Sequence, residues 1–326
     1  MTHQTIFLIL FMLTILAMLF LDLFVFHKKD HEIKIKEAAV WTGVWIGVGL
    51  LFALFLRLKG EWIYDLDFAT VEGLESYRKE LTMQYLSGYF LEKSLSIDNI
   101  FVMIMIFSSF GIEKRYYHRV LFWGILGAIV LRFIFIFSLG ALVQQFSWLL
   151  AIFGVILLYS GVKMFLKKGE EEVDTQNHPV VRFASKHFRV SPRCDGHNFF
   201  TRIDGKRFLT PLFLVLLVIE FSDIIFAVDS IPAVFSVSSD PVIVYTSNIF
   251  AIMGLRSLFF LLDGITGKFW LLHYGLGLLL CFIGLKMIGH EFFGLNISTG
   301  ASLFTILGIL VSSITFSLII KKKVKN

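Results

Sequence analysis

The chain alternates long apolar runs with short polar breaks. Each run holds about 20 predominantly apolar residues, which is the length that an α-helix needs to cross a bilayer. Nine such runs are present, at residues 6–26, 38–58, 85–110, 120–142, 147–166, 210–235, 242–262, 269–288 and 298–320. The pattern therefore predicts an all-α polytopic membrane protein with about nine transmembrane helices.

Acidic residues interrupt two of these runs. Glu92 and Asp98 lie in the third run, within the stretch EKSLSIDNIFV, and Glu220, Asp223 and Asp229 lie in the sixth, within EFSDIIFAVDSIPA. Carboxylates at membrane depth are costly, so they usually face a cavity or a partner and mark an ion or proton path. The two stretches also correspond in order, because Glu92, Asp98, Asn99 and Ile100 match Asp223, Asp229, Ser230 and Ile231.

The correspondence continues in the runs that follow. Arg132, in the segment LRFIF, matches Arg256, in LRSLF, and the later segment YSGVKM matches FIGLKM. These matches predict two three-helix repeats, residues 85–167 and 210–290. Because each repeat has an odd number of spans, the second enters the membrane from the opposite side. Such inverted repeats are common in transporters, whose sites lie near the midplane between the repeats.

The repeats divide the rest of the chain into three parts. Residues 1–84 hold two spans and an acidic external loop, residues 168–209 form a polar connector, and residues 291–326 hold the last span and a basic tail. In the connector, FFTRIDGKRFL alternates around Asp204 and Gly205, a strong signal for a β-hairpin. We expect the connector to join the two halves, with docking of a partner protein or regulation as the alternative.

Composition settles the class, and charge predicts the orientation. The 326 residues are 56% hydrophobic and include 37 Phe, whereas soluble domains are roughly 45–50% apolar. The net charge of +5 comes from Lys and Arg in loops beside the spans, so it does not indicate nucleic-acid binding. The basic loops all fall on one side, which predicts an external N-terminus and a cytoplasmic C-terminus. Cys194 and Cys281 form no C-x-x-C pair, and we expect no disulfide.

The spacing of the acids constrains the helices that carry them. Residues six apart point about 240° apart around an ideal helix, so Glu92 and Asp98 cannot share one face of a straight helix. We therefore expect each acidic helix to be discontinuous between its acids. Pro232 favours the break in the second repeat, because proline removes a backbone donor.

Oxygen ligands of this kind predict a site for a hard divalent cation. Carboxylate, amide and carbonyl oxygens suit Mg²⁺, Ca²⁺ or Mn²⁺, and neither His nor Cys lies near the acids in sequence. Five acids against Arg132 and Arg256 leave an excess of three negative charges, which a bound cation, protons or both should compensate. The arginines are predicted counter-charges, with a gating role as the alternative. The predicted site comprises Glu92, Asp98, Asn99, Glu220, Asp223, Asp229 and Ser230.

On these motifs the sequence resembles the TerC family of integral membrane proteins, the Alx/TerC group associated with tellurium resistance. The two acidic stretches and SNIFAIMGLR at 247–256 are its most specific parts, and the likeness covers nearly the whole chain. The resemblance implies a bacterial inner-membrane protein that exports manganese and requires the acids. The residues alone imply only a hard divalent cation, and an acidic site would repel anionic tellurite.

The leading interpretation is a secondary transporter that moves Mn²⁺ out of the cytoplasm, with proton exchange as one way to drive it. Mn²⁺ is then a transported substrate, no resident cofactor is expected, and membrane lipids surround the spans. An enzyme is not expected, because the chain lacks G-x-G-D, H-E-x-x-H and G-x-S-G motifs. A membrane scaffold for metal stress or for metal loading of exported proteins is the alternative. Exchange of the connector with retained metal flux would separate the two.

Overall fold

A computed structural model describes residues 3–21, 34–64, 70–146, 148–166, 178–264 and 271–320. The predicted all-α membrane class is confirmed. The helices are α1 (His3–Leu21), α2 (Ile35–Lys59), α3 (Val71–Ser109), α4 (Tyr117–Gln145), α5 (Leu149–Leu166), α6 (Pro179–His187), α7 (Pro211–Phe235), α8 (Pro241–Met253), α9 (Leu255–Asp263), α10 (Leu272–Phe293) and α11 (Thr299–Ile319). The strands are β1 (Phe200–Ile203) and β2 (Lys206–Leu209). The basic segment 28–33 and the tail 321–326 lie outside the described residues.

The number of spans depends on how α3 is counted. Within the described ranges, seven helices are long and apolar enough to cross a membrane, and the pair α8–α9 makes an eighth. The ninth predicted span is α3, whose apolar half carries Glu92, Lys93 and Asp98. With 39 residues, α3 is about 58 Å long, which is more than a bilayer core requires. Its membrane crossing stays a prediction.

The predicted breaks between the acids are wrong. Both α3 and α7 continue without interruption past their acids. No break is needed because different neighbours receive the acids on different faces of each helix. Pro232 lies in the last turn of α7, after both acids, so the backbone hydrogen bond that it removes does not interrupt the helix between Asp223 and Asp229. The discontinuity lies instead at Gly254, where α8 and α9 are bent by 41°.

The predicted external loop is also shorter than expected. A 3₁₀ helix, Gly60–Ile63, follows α2 directly, and α3 begins at Val71, well before the apolar run. Thr70 is the N-cap of α3, because its hydroxyl accepts a hydrogen bond from the Gly73 backbone N–H at 3.1 Å. A tertiary contact stabilises this early part of α3, because Arg78 forms a 2.5 Å ion pair with Glu61.

Helices α5 and α10 pack with their backbones in close contact. A methyl group on Gly161 would lie 2.7 Å from the Gly277 carbonyl oxygen, and one on Gly284 would lie 2.6 Å from the Gly154 carbonyl oxygen. The two contacts are reciprocal: the predicted repeat matches Gly161 of α5 with Gly284 of α10, and each of these glycines meets a glycine carbonyl of the other helix. This reciprocity supports an inverted repeat, which otherwise stays a prediction.

The described part of the connector, residues 178–209, is folded. The predicted hairpin is confirmed: β1 and β2 are antiparallel, and both Asp204 (φ 51°) and Gly205 (φ 75°) have positive φ at the turn. Helix α6 packs along the first part of α7, with Ala184 in one apolar cluster with Leu214. Its N-terminal end reaches Phe221, whose ring centroid lies 6.0 Å from that of His178.

Candidate metal site

Arg132 of α4 lies at the centre of the buried charged cluster and is 2% exposed. Its Nη1 atom lies 2.5 Å from Glu92 Oε1, and its Nη2 atom lies 3.6 Å from Asp223 Oδ1. Nη1 also donates to Asn248 Oδ1 at 2.6 Å. Arg132 thus joins an acid from each predicted repeat, as expected of a counter-charge.

Amide side chains complete the cluster. Asn248 donates through Nδ2 to Glu92 Oε2 at 3.0 Å, and Asn99 donates through Nδ2 to Asp223 Oδ1 at 3.0 Å. Ser96 completes the set with a weaker hydrogen bond to Glu92 at 3.4 Å. Two buried oxygens, Asn99 Oδ1 and Asp223 Oδ2, have no hydrogen-bond partner among the residues that the structure describes. Buried acceptors without donors are unfavourable, so these two oxygens can receive a cation.

A cavity of about 230 Å³ opens beside the cluster. Helices α3, α4 and α7 form one wall, and α5 and α10 form the other. Asp98 and Asp229 both line it: Asp229 accepts a hydrogen bond from Ser160 at 3.3 Å, and Asp98 Oδ1 lies 3.5 Å from His273 Nδ1. The remaining polar lining is contributed by Glu92, Ser96, Asn99, Arg132, Lys163 and Ser230.

The charges around the cavity do not cancel. Four carboxylates surround it or stand behind Arg132, namely Glu92, Asp98, Asp223 and Asp229. Among the residues that the structure describes, Arg132 and Lys163 are the cations on its wall. With His273 neutral, the excess is two negative charges, the charge that one divalent cation neutralises.

Two of the predicted site residues lie elsewhere. Glu220 does not line the cavity, and its carboxylate packs against Gly127 of α4, in the space that a side chain there would occupy. Arg256 is buried in α9 and does not line the cavity. The structure therefore brings together Glu92, Asp98, Asn99, Asp223, Asp229 and Ser230 with Arg132, but neither Glu220 nor Arg256.

Three residues of this region were not predicted from the sequence. Lys93, within the acidic motif itself, donates to the Ala251 carbonyl oxygen at 3.0 Å, where a cation favours the C-terminal end of α8. Lys93 adds a third cation to the predicted balance and reduces its excess from three negative charges to two. Asn248 and His273 are distant in sequence from the acids they contact. The only sequence signal for each of them was a polar residue within an apolar run.

The donor set is oxygen-rich but not assembled around one point. Among the described residues, no three His, Cys, Asp or Glu side chains lie close enough to hold a metal ion together. At the centre of the cluster, Arg132 prevents such an arrangement of ligands, because its guanidinium contacts both Glu92 and Asp223. An ion that bound there would have to displace or share these contacts.

Apolar helices around a buried charged cavity define a polytopic membrane protein with an intramembrane ionisable site. The family model described as "Integral membrane protein TerC family" matches residues 77–325. The chain belongs to the TerC family, as its motifs indicated.

Relatives align with this chain along nearly its full length. "Uncharacterized membrane protein STKORF319" from Myxococcus xanthus is 44% identical over 309 residues, which cover 95% of this chain and 91% of that protein. Several relatives bear the name "Putative membrane-bound redox modulator Alx", and two of them serve as examples. The one from Photorhabdus laumondii is 44% identical over 313 residues, covering 96% of this chain and 94% of the relative. The one from Escherichia coli K12 is 44% identical over 303 residues, covering 92% and 90%. No solved structure matches the chain.

Proposed function

We propose that this protein is a secondary transporter that exports a hard divalent cation, Mn²⁺, through the cavity between α3, α4, α7 and the α5–α10 pair. The observation that carries the proposal is the charge balance of the cavity. Three carboxylates on its wall and that of Asp223 behind Arg132 stand against two cations, and one divalent ion supplies the missing charge. The cargo is moved and not chemically converted, so we propose no enzymatic activity.

The unpartnered oxygens support a central position for the ion. Asn99 Oδ1 and Asp223 Oδ2 are hard donors held in place by the hydrogen bond between their side chains. Oxygen donors of this type are the usual ligands of Mn²⁺, Mg²⁺ and Ca²⁺. The choice of Mn²⁺ among them, and the outward direction, rest on the TerC resemblance.

The contacts of Arg132 support a mechanism in which a bound ion replaces the guanidinium as the counter-charge of a carboxylate. Without an ion, the guanidinium is shared between Glu92 and Asp223 and offsets one of their two negative charges. When an ion approaches through Asp98 and Asp229, Arg132 can release a carboxylate and keep its hydrogen bond to Asn248. Protons that bind the carboxylates left without a counter-charge when the ion leaves would couple export to proton uptake.

The test is Mn²⁺ flux in proteoliposomes that contain the purified full chain. We expect the native chain to transport, and Asp98→Asn and Asp229→Asn to lose at least about tenfold in rate, since each removes one carboxylate from the path. Asp204→Asn is the matched control, because it removes a carboxylate from the hairpin turn, where Asn tolerates positive φ. If the native chain moves no divalent ion, or both cavity variants transport normally, the proposal fails.

A scaffold role is the second candidate, and the folded connector favours it. Helix α6 and the hairpin form a compact surface beside α7, not an open loop. The two roles make different predictions for cells that carry Asp98→Asn. A transporter loses metal tolerance together with flux, whereas a scaffold retains tolerance in the absence of flux.

A further inference from the structure

The hairpin of the connector places two arginines directly opposite each other. Arg202 of β1 and Arg207 of β2 are register partners in the antiparallel pair, and both are exposed. Side chains at such positions lie on one face with Cβ atoms about 5 Å apart. Like charges in this arrangement repel, so the pair is unfavourable unless an anion lies between the guanidinium groups.

These arginines line a concave pocket of about 410 Å³. Asp195, Phe200 and Thr201 form the rest of its lining. The only carboxylate of the lining, that of Asp195, accepts a hydrogen bond from the Thr201 hydroxyl at 2.7 Å. One carboxylate against two guanidinium groups leaves the pocket with a positive charge, which fits a phosphate group.

The pocket lies where α7 starts to cross the membrane. The ring of Phe200, which lines the pocket, lies 4.9 Å from that of Phe213 in the first turn of α7. Helix α6 flanks α7 as far as Phe221, ten residues into a span of 25 residues. The hairpin packs on the first turn of α7, so it lies at the end of this span, at the depth of the lipid headgroups.

Exposed aromatic and basic side chains fit the same location. Phe183 is 62% exposed, and Phe188 and Phe200 are each 56% exposed, although all three are beside a membrane span. Residues 178–209 carry seven Lys or Arg and two Asp. Apolar rings mixed with positive charge are typical of segments that lie in an anionic lipid interface.

We propose that Arg202 and Arg207 bind the phosphate of an anionic phospholipid in the leaflet that α7 enters from the connector. The inference goes beyond metal transport, and its readout is independent of transport. A lipid is favoured over a soluble phosphate because the pocket borders a span and exposes aromatic rings.

Native mass spectrometry of the full chain, purified in detergent and titrated with phosphatidylglycerol or phosphatidylcholine, tests the proposal. We expect a preference for phosphatidylglycerol that falls roughly tenfold or more in the double variant Arg202→Gln/Arg207→Gln, because the variant loses the charge-assisted hydrogen bonds of both guanidinium groups to the lipid phosphate. The control is Lys186→Gln/Lys206→Gln, which removes the same charge from exposed positions outside the pocket. It should retain the preference within about twofold.

Three results would overturn the proposal. The first is an equal loss in both double variants, which would mean a diffuse effect of net charge. The second is equal retention of both lipids by the native chain. The third is tighter binding of glycerol phosphate than of phosphatidylglycerol, which would assign the arginines to a soluble anion. Circular dichroism and size-exclusion profiles identical to those of the native chain establish that both variants are folded.

Discussion

The guanidinium of Arg132 lies 2.5 Å from the carboxylate of Glu92, and both side chains are almost completely buried. This contact links α4 to α3 at the level of the cavity. Asp223 of α7 joins the same guanidinium at 3.6 Å, so one cation connects three helices. The charged cluster is therefore both a packing element and the inner wall of the proposed ion path.

Removal of this cation should destabilise the protein strongly. We expect Arg132→Met to lower the free energy of unfolding by about 3–5 kcal/mol, because it leaves buried carboxylates without a partner. The double variant Arg132→Met/Glu92→Gln should regain part of that loss. Unfolding in a detergent titration, analysed as a double-mutant cycle, measures both. If the effects of Arg132→Met and of Glu92→Gln alone add up to that of the double variant, Arg132 and Glu92 are not energetically coupled.

A methyl group on Gly127 should displace Glu220. The Glu220 carboxylate occupies the space beside the Gly127 Cα atom, so Gly127→Ala forces this flexible side chain to move. We expect a stability change below about 1 kcal/mol, since only a side-chain end must shift, and native Mn²⁺ flux, because Glu220 does not line the cavity. The control Gly47→Ala adds a methyl group with no atom within 4 Å. A reduced flux in Gly127→Ala with native flux in the control would show that the position of Glu220 against α4 is required.

The contact between α5 and α10 should be sensitive to one added carbon. Gly161→Ala places a methyl group 2.7 Å from the Gly277 carbonyl oxygen and 2.9 Å from the Cys281 backbone nitrogen, and backbone atoms cannot move aside easily. We expect a loss of about 1–3 kcal/mol in unfolding free energy. In Gly308→Ala of α11, where no atom lies within 4 Å, stability should be unchanged or slightly higher. Thermal unfolding of both variants tests this prediction, and equal midpoint temperatures would contradict the close packing.

Asp240 should matter as the N-cap of α8. Its carboxylate accepts hydrogen bonds from the Val242 backbone N–H at 2.9 Å and from the Tyr64 hydroxyl. We expect Asp240→Ala to cost about 1–2 kcal/mol, and Asp240→Asn much less, because Asn also caps helices well. Chemical or thermal unfolding compares the two variants. If Asn and Ala cost the same, the charge on Asp240 contributes more than the cap.

Local sequence rules predicted which charged side chains are buried, but not which of them contact one another. The acids of α3 and α7 and their shared order were visible because charge is rare in apolar runs. The partner of Lys93 was not visible, since Ala251 comes close only through the crossing of α3 with α8. The same holds for the contact between Asp98 and His273.

The predicted helix breaks failed for a related reason. Helical geometry correctly placed Glu92 and Asp98 on different faces of α3. It could not indicate that Arg132 would approach one face and His273 another, so that a straight helix serves both acids. The hairpin at Asp204 and Gly205 was predictable because its turn depends on two adjacent residues alone.

The glycine contacts between α5 and α10 limit which parts of the protein can move. With backbone against backbone at two reciprocal points, neither helix can slide or rotate without a clash against the other. We expect this pair to move as one rigid unit, whereas Arg132 joins α3, α4 and α7 into a second unit. The cavity lies between the two units, so a tilt of the α5–α10 pair would change access to Asp98 and Asp229 without any helix having to unwind.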